Sequence, residues 1–168
     1  MDLYLLRHGL AVEPGTPGYS TDAERPLTKK GKTKMKKIAK AMNELTCSFD
    51  LVLSSPYKRA RQTAEIVAAK LKASKQLEFS DALTPHGNAK ELIGFLNHHR
   101  PAPDTVLLVG HEPHLSGLIS LLISGDRRLE LVLKKGGLAK LSIQSLKHDR
   151  CAALEWLLTP AQLLEIGD

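Results

Sequence analysis

The sequence has few cysteines, few aromatic residues and no long uninterrupted apolar run. Its two cysteines, Cys47 and Cys151, are far apart and show neither a C-x-x-C nor a zinc-ligand spacing, so neither a disulfide framework nor a cysteine-based metal site is indicated. Apolar residues make up 42% of the 168 residues and charged residues 25%, which excludes a disordered or fibrous chain. The length is that of one domain, and we expect residues 1–168 to form a single one.

Membrane-spanning and secretory segments are not indicated either. The longest apolar stretch, Leu115 to Ile123, is interrupted by serine and glycine and is about half the length needed to cross a bilayer. The apolar run near the start, Leu3 to Leu6, is too short for the core of a signal peptide. We therefore expect a soluble, cytoplasmic protein that does not bind membranes.

Acidic residues are absent from one stretch, Arg25 to Lys40, which carries eight basic residues. The net charge of the whole chain is only +6, so the basic character is local to this stretch. Clustered lysines can bind nucleic acid, but no aromatic residue between Arg25 and Phe49 offers a surface for base stacking. We interpret Lys29 to Lys40 as a solvated helix face, leave open the docking of an acidic protein, and expect no nucleic-acid partner.

Alternating strand and helix patterns predict an α/β fold. Short apolar or β-branched runs predict strands, and apolar residues at three- and four-residue spacing predict helices between them. Strands that alternate with helices usually form parallel sheets, so we predict a three-layer α/β/α sandwich with a mostly parallel central sheet and an antiparallel edge strand. The predicted strands are Leu3 to Leu6, Asp50 to Ser55, Gln76 to Phe79, Thr105 to Val109, a pair formed by Leu129 to Leu133 and Leu138 to Ile143, and Ala152 to Leu158. The predicted helices follow Thr28, Pro56, the turn at Pro85 to Asn88, and Pro113.

Three separate segments bring histidine and arginine to one edge of this sheet. The side chains concerned are Arg7 and His8 after the first strand, Ser54 and Ser55 with Arg59 and Arg61 after the second, and His111 after the strand Thr105 to Val109. At the carboxyl ends of parallel strands the loops open and helix N-termini point their free N–H groups, so ligands bind there. A cluster of guanidinium groups at this edge suits a phosphoryl group, because arginine keeps its charge and can bridge two oxygens.

Histidine in such a cluster can act as a nucleophile. The imidazole of His8 can attack phosphorus and form a covalent phosphohistidine, which divides one difficult displacement into two easier ones. Arg7, Arg59 and His111 would then stabilise the charge on the phosphoryl oxygens. This chemistry needs neither a metal nor a nucleotide, so we expect no cofactor. The segment His111 to His114 is not an H-E-x-x-H motif, and we predict no metal site there.

Four motifs, in the same order, resemble those of the histidine phosphatase superfamily, which has the phosphoglycerate mutase-like fold. They are Arg7-His8-Gly9, Leu27 to Gly31 (Leu-Thr-x-x-Gly), Ser55 to Thr63 (Ser-x-x-x-Arg-Ala-x-Gln-Thr) and Gly110 to Pro113. The resemblance implies that His8 is the residue that becomes phosphorylated. It also implies that Arg7, Arg59 and His111 bind the phosphoryl group. By its length and its segment Leu83 to Gly87, the chain is most similar to the SixA type, the short phosphohistidine phosphatases.

One feature of the family is missing. Members that cleave phosphate esters usually carry a carboxylate in the third motif, which protonates the departing oxygen; here Thr84 to His86 stands in that place and the nearest acid is Asp81. Whether Asp81 or His86 serves as a proton donor stays open. Because a histidine leaving group can depart already protonated at physiological pH, we predict that the substrate is phosphohistidine in a protein, such as a histidine-phosphotransfer domain. The alternatives are a broad-specificity small-molecule phosphomonoesterase of the same superfamily and a non-catalytic protein that binds phosphate or a phosphopeptide.

Overall fold

A central sheet of six strands, covered by helices on both faces, organises the chain. The structure is a computed structural model that describes residues 1–168. In chain order its elements are β1 (Asp2–Arg7), α1 (Lys29–Glu44), β2 (Leu51–Ser54), α2 (Lys58–Lys70), β3 (Leu77–Phe79), α3 (Ala89–His98), β4 (Thr105–Gly110), α4 (His114–Ser124), β5 (Leu138–Ile143), β6 (Ala152–Leu158) and α5 (Pro160–Ile166). None of these helices combines the length and the apolar character that a bilayer crossing requires.

The sheet is mixed, with the strand order β3-β2-β4-β1-β5-β6. Strands β1, β4, β2 and β3 pair in parallel, whereas β5 is antiparallel to both of its neighbours, β1 and β6. The predicted mostly parallel sheet is confirmed. The one antiparallel strand is β5, which lies one position inside the edge, and β6 forms the edge itself.

Alternate residues of the strands face two different helical layers. Leu3 and Leu5 of β1 pack with side chains of α3 and α4, whereas Tyr4 and Leu6 pack with side chains of α1, α2 and α5. Both Leu5 and Leu6 are 0% exposed, so the central strands are buried on both faces, as parallel strands usually are. The predicted three-layer α/β/α arrangement is therefore confirmed.

Helix α1 begins where the sequence predicts and carries the basic stretch. The Oγ1 atom of Thr28 accepts a hydrogen bond of 2.9 Å from the backbone N of Gly31, which caps the helix. The lysines lie mainly on the solvent side of the helix, opposite the buried apolar stripe. Two of them contact the C-terminal residue: Lys37 forms an ion pair with the Asp168 carboxylate, and Lys40 donates to its backbone O at 2.8 Å.

Two stretches differ from the prediction. Leu129 to Leu133 forms no strand, and within it Leu129 and Val132 are 45% and 71% exposed. The physical reason is that β1 and β6 occupy both hydrogen-bonding edges of β5, so this apolar run has no free edge of β5 to join. Helix α5 is the element that the sequence analysis missed, although Thr159 and Gln162 form a reciprocal capping box at its start.

Candidate active site

His8 lies at the carboxyl end of β1 with one ring nitrogen fixed and the other left with its lone pair. Its Nδ1 atom is 2.7 Å from the carbonyl oxygen of Gly9. A carbonyl can only accept, so Nδ1 carries the proton and Nε2 carries the lone pair in the neutral ring. The side chain is only 5% exposed. Burial, with help from Arg59 and Arg7, lowers the pKa of His8 to about 3, so the ring is neutral near pH 7.

Arg59 faces that lone pair. The Nε atom of Arg59 donates to Nε2 of His8 at 3.2 Å, and Arg59 is only 3% exposed. The aromatic ring of Tyr57 lies beneath the guanidinium, with the Cζ atom 5.5 Å from the ring centroid. Burial lowers the pKa of Arg59, and Asp22 opposes the shift, so the group keeps its positive charge. A fixed cation therefore lies directly beside the unprotonated ring nitrogen of His8.

Arg7 supplies a second cation at the end of β1. Its Nη1 atom donates to the carbonyl oxygen of Leu133 at 3.0 Å, whereas its Nε atom is buried without a hydrogen-bond partner. Burial lowers the pKa of Arg7, and the charge of Glu112 counteracts this. A buried guanidinium donor without a partner is available to an oxygen of a ligand.

His111, at the end of β4, completes the cluster that the sequence predicts. The centroids of its ring and the ring of His8 are 5.0 Å apart. Its Nε2 atom shares a hydrogen bond of 2.8 Å with the Oγ atom of Ser55, and its Nδ1 atom is buried without a partner. Burial, followed by the neighbouring His8 and Arg59, lowers the pKa of His111 to about 2, so this ring is also neutral.

The other motif residues hold the loop after β1 in place. The backbone N of Gly9 donates to Oγ1 of Thr63 at 3.1 Å, and the backbone N of Leu27 donates to Oε1 of Gln62 at 2.8 Å. Gly9 has no room for a side chain, since a Cβ atom there would lie 2.6 Å from Cγ of Met35. These contacts join α2 to both ends of the loop that covers the site.

Arg61 and the two candidate proton donors lie outside this network. Arg61 is exposed and pairs with Glu65 one turn further along α2. Asp81 and His86 are both exposed, and neither forms a hydrogen bond with the side chains of the cluster. His86 instead lines a surface cavity next to His114 at the start of α4.

The structure brings one carboxylate into the site that the sequence analysis did not identify. The Oδ2 atom of Asp22 accepts from Nη2 of Arg59 at 3.0 Å, and its backbone oxygen accepts from Nη1 of the same side chain at 2.8 Å. Its Oδ1 atom accepts from Arg25. Asp22 lies in the loop between β1 and α1, and the path of a long loop cannot be read from residue periodicity. The available signal was an acidic residue in the long segment between the first strand and the helix after Thr28.

The arrangement as a whole suits phosphoryl transfer. One neutral imidazole presents a lone pair at the edge of a parallel sheet. The buried guanidinium of Arg59, the partly buried guanidinium of Arg7 and a second imidazole surround it. Fixed cations placed around a phosphoryl group stabilise the charge of the transition state on its oxygens. The structure contains no group of three or more His, Cys, Asp or Glu side chains that could hold a metal ion.

Comparisons with known proteins identify one family. The model of the histidine phosphatase superfamily, branch 1, matches residues 3–84, a range that includes His8 and Arg59 and ends before His111. An uncharacterized protein of Picosynechococcus sp. (strain ATCC 27264 / PCC 7002 / PR-6) is 38% identical over 139 residues, which are 82% of each chain. The phosphohistidine phosphatase SixA of Escherichia coli (strain K12) is 28% identical over 127 residues, or 75% of this chain and 76% of that protein.

Solved structures agree with this result. The structure of the protein histidine phosphatase SixA complexed with tungstate superposes with a TM-score of 0.81 at 25% identity, covering 97% of this chain and 99% of that one. The phosphoglycerate mutase-like fold predicted from the sequence is confirmed.

Proposed function

The chain belongs to the histidine phosphatase superfamily, and from that membership we propose that it is a phosphatase that removes the phosphoryl group from phosphohistidine in a protein. In this proposal His8 takes the phosphoryl group from the substrate and passes it to water. Arg7, Arg59 and His111 bind the phosphoryl oxygens during both transfers. One of the relatives, SixA of Escherichia coli, is a phosphohistidine phosphatase. A solved SixA structure contains tungstate, a tetrahedral oxyanion like phosphate.

The observation that carries the proposal is the state of the His8 ring. Its Nδ1 proton is bound to the carbonyl of Gly9, so Nε2 is ready to attack. In the first transfer Nε2 bonds to phosphorus while the bond between phosphorus and the substrate nitrogen breaks. In the second, a water oxygen bonds to phosphorus, the bond to Nε2 breaks, and inorganic phosphate leaves.

The cations of the site support a mechanism without a metal ion. Arg59 lies beside Nε2 of His8, and the free Nε donor of Arg7 is buried in the same cluster. In phosphoryl transfer, catalysis consists mainly of positioning and charge stabilisation, and two guanidinium groups can provide both. We therefore propose that these side chains stabilise the charge of the transfer and that no metal ion is needed.

The choice of phosphohistidine as substrate rests on the leaving group. The carboxylate that contacts the cluster is Asp22, whose pKa is held below its ordinary value, so near pH 7 it carries no proton to give to an ester oxygen. An imidazole leaving group has a conjugate-acid pKa of about 6.5 and departs with a proton that it already carries. A phosphoramidate therefore makes less demand on this site than a phosphate ester.

A substrate comparison tests the proposal. We would measure kcat/KM for a histidine-phosphotransfer domain phosphorylated on histidine, for a phosphoserine peptide and for a sugar phosphate. We expect a preference of about a hundredfold or more for the phosphohistidine domain, because an absent general acid costs esters about 10²- to 10⁴-fold. His8→Ala should be inactive, and His98→Ala, on the exposed side of α3, should retain the wild-type rate.

Each alternative has its own outcome in this assay. Faster turnover of the sugar phosphate would contradict the proposed substrate and favour a small-molecule phosphomonoesterase. Binding of the phosphohistidine domain without turnover of any of the three substrates would contradict the proposed activity and favour a binding protein.

A further inference from the structure

Asp22 places a carboxylate against the Arg59 guanidinium, which also contacts Nε2 of His8. We propose that Asp22 is a catalytic residue: its carboxylate accepts the proton of the water molecule that hydrolyses the phosphorylated His8. This inference rests on the proposed function, which requires that a phosphoryl group on His8 be released to water. The motif position at which family members usually carry a carboxylate for proton transfer holds Thr84 to His86 instead.

The first support is the geometry of the Arg59 guanidinium. Its Nε and Nη2 atoms form the edge that normally donates hydrogen bonds to two oxygens of one phosphoryl group. In the structure this edge donates to Nε2 of His8 at 3.2 Å and to Oδ2 of Asp22 at 3.0 Å. The nucleophilic nitrogen and the carboxylate oxygen therefore lie side by side, and a phosphoryl group that binds this edge enters next to both.

The second support is the way Asp22 is anchored. Its Oδ1 atom accepts two hydrogen bonds from Arg25, whose Nη1 atom in turn donates to the carbonyl oxygen of Val12 at 2.5 Å. Its backbone oxygen also accepts from Arg59 at 2.8 Å. When the phosphoryl group takes over the Nη2 donor of Arg59, these remaining contacts keep the carboxylate at the site.

The third support is the charge of Asp22 before and after the phosphoryl group binds. Partial burial raises the pKa of Asp22, but the hydrogen bonds from Arg25 and Arg59 outweigh it, so the pKa lies below its ordinary value and the group is ionised. An ionised carboxylate can take a proton from water. Once Arg59 turns its charge toward the phosphoryl oxygens, the pKa of Asp22 rises and the carboxylate becomes a stronger base.

The step balances without a further reactant. The water oxygen bonds to the phosphorus of phosphorylated His8, and the bond between phosphorus and Nε2 breaks. The electron pair of that bond returns to Nε2, so His8 is again neutral with its proton on Nδ1. One proton of the water passes to the carboxylate of Asp22, which releases it to solvent with the departing phosphate.

The test separates formation of the phosphoenzyme from its hydrolysis. Asp22→Asn keeps an oxygen that can accept from Nη2 of Arg59, and the backbone contact at residue 22 is unchanged, but the amide cannot act as a base. After mixing with a ³²P-labelled phosphohistidine domain and rapid quenching, we expect wild-type-like labelling of His8. The label should then decay about a hundredfold or more slowly, because a general base contributes about 10²- to 10⁴-fold.

Glu24→Gln is the matched control. Glu24 lies two residues away in the same loop, where residues Asp22–Glu24 form a single 3-10 turn, and its carboxylate binds Ser20 and Thr21 rather than the arginines of the site. This variant should form and lose the label at wild-type rates. If Asp22 only positioned Arg59, Asp22→Asn would slow labelling rather than decay, and the inference would be wrong.

Two further outcomes are distinguishable. Decay of the label at the wild-type rate in Asp22→Asn, with His8 normally labelled, would overturn the role of Asp22 and leave the proposed function intact. Failure of the wild-type protein to become labelled would overturn the proposed function, and the role of Asp22 with it.

Discussion

Replacing Arg59 by lysine removes the two-pronged donor beside His8 and keeps the positive charge. In the structure the Arg59 guanidinium donates through three nitrogen atoms, to Nε2 of His8 and to two oxygens of Asp22. A lysine ammonium is a point charge and cannot bridge two phosphoryl oxygens in the same plane. Loss of one preorganised donor to a transition-state oxygen costs about 10²- to 10³-fold in rate, or about 3–4 kcal/mol.

The effect of Arg59→Lys on stability should be smaller than its effect on rate. The substitution disrupts the ion pair between Arg59 and Asp22, and because the Asp22 side chain is 48% exposed, solvent screens that interaction. We expect the free energy of unfolding to fall by about 1–2 kcal/mol, which leaves the protein folded at room temperature.

The assay is quench-flow labelling of His8 with the phosphohistidine domain, with urea unfolding measured on the same preparations. Arg61→Lys is the control, because Arg61 lies on the same helix, is exposed, and contacts Glu65 and the ring of Phe79 rather than the His8 cluster. It should change the labelling rate little and the stability by less than about 0.5 kcal/mol. Labelling by a folded Arg59→Lys protein at the wild-type rate would refute the assignment of Arg59 to the phosphoryl group.

Two further predictions concern protonation and packing. Because burial lowers the pKa values of His8 and His111 to about 3 and about 2, both rings should stay neutral in the folded protein at pH 5, as NMR of the ring nitrogens can show. The unfolded chain binds these protons at a pKa of about 6.5, so the free energy of unfolding should decrease as the pH falls below 6.5, by about 1.4 kcal/mol per pH unit for each ring. Charging of either ring near pH 6.5 would contradict this. Gly31→Ala places a Cβ atom 2.1 Å from a backbone oxygen of the loop after β1, so it should lower the Tm and the labelling rate. In the control, Gly94→Ala, the new Cβ atom meets nothing within 4 Å, and both quantities should be unimpaired. Equal Tm values for the two variants would count against the packing argument.

The part of the site that the sequence predicts is the part fixed by parallel strands. His8 and His111 each follow a buried strand, and Arg59 follows a third. The carboxyl ends of β1, β2 and β4 must meet at one edge, because these strands pair in parallel in the sheet. Strand position alone therefore brings these side chains together, whatever path the loops take.

The parts that the sequence does not predict depend on loops and on competition for strand edges. Asp22 reaches Arg59 because Arg25 ties it to Val12 within the loop and Leu27 fastens the loop to α2. None of these contacts follows a period of two or of 3.6 residues. The apolar run Leu129 to Leu133 has a strand-like composition but no edge to pair with. Composition predicts that a segment can form a strand, but not that a partner is free.

The same limit applies to the third motif. Asp81 is the carboxylate nearest to it in the sequence, yet it lies exposed at the start of a short helix after β3. β3 is at the edge of the sheet, farther from β1 than β2 and β4 are, and Asp81 forms no hydrogen bond with the side chains of the His8 cluster. Proximity in the sequence to a motif was therefore a poor guide, and Asp22, far from that motif, is the acid that contacts the cluster.

The most direct test is to locate the phosphoryl group in the quenched intermediate, by peptide mapping with mass spectrometry and by ³¹P NMR of the isolated peptide. Because Nδ1 of His8 is bound to the carbonyl of Gly9 and Nε2 faces Arg59, we predict phosphorus on Nε2 of His8. Phosphorus on Nδ1, on another residue, or on no residue of an enzyme that still turns over would contradict the account.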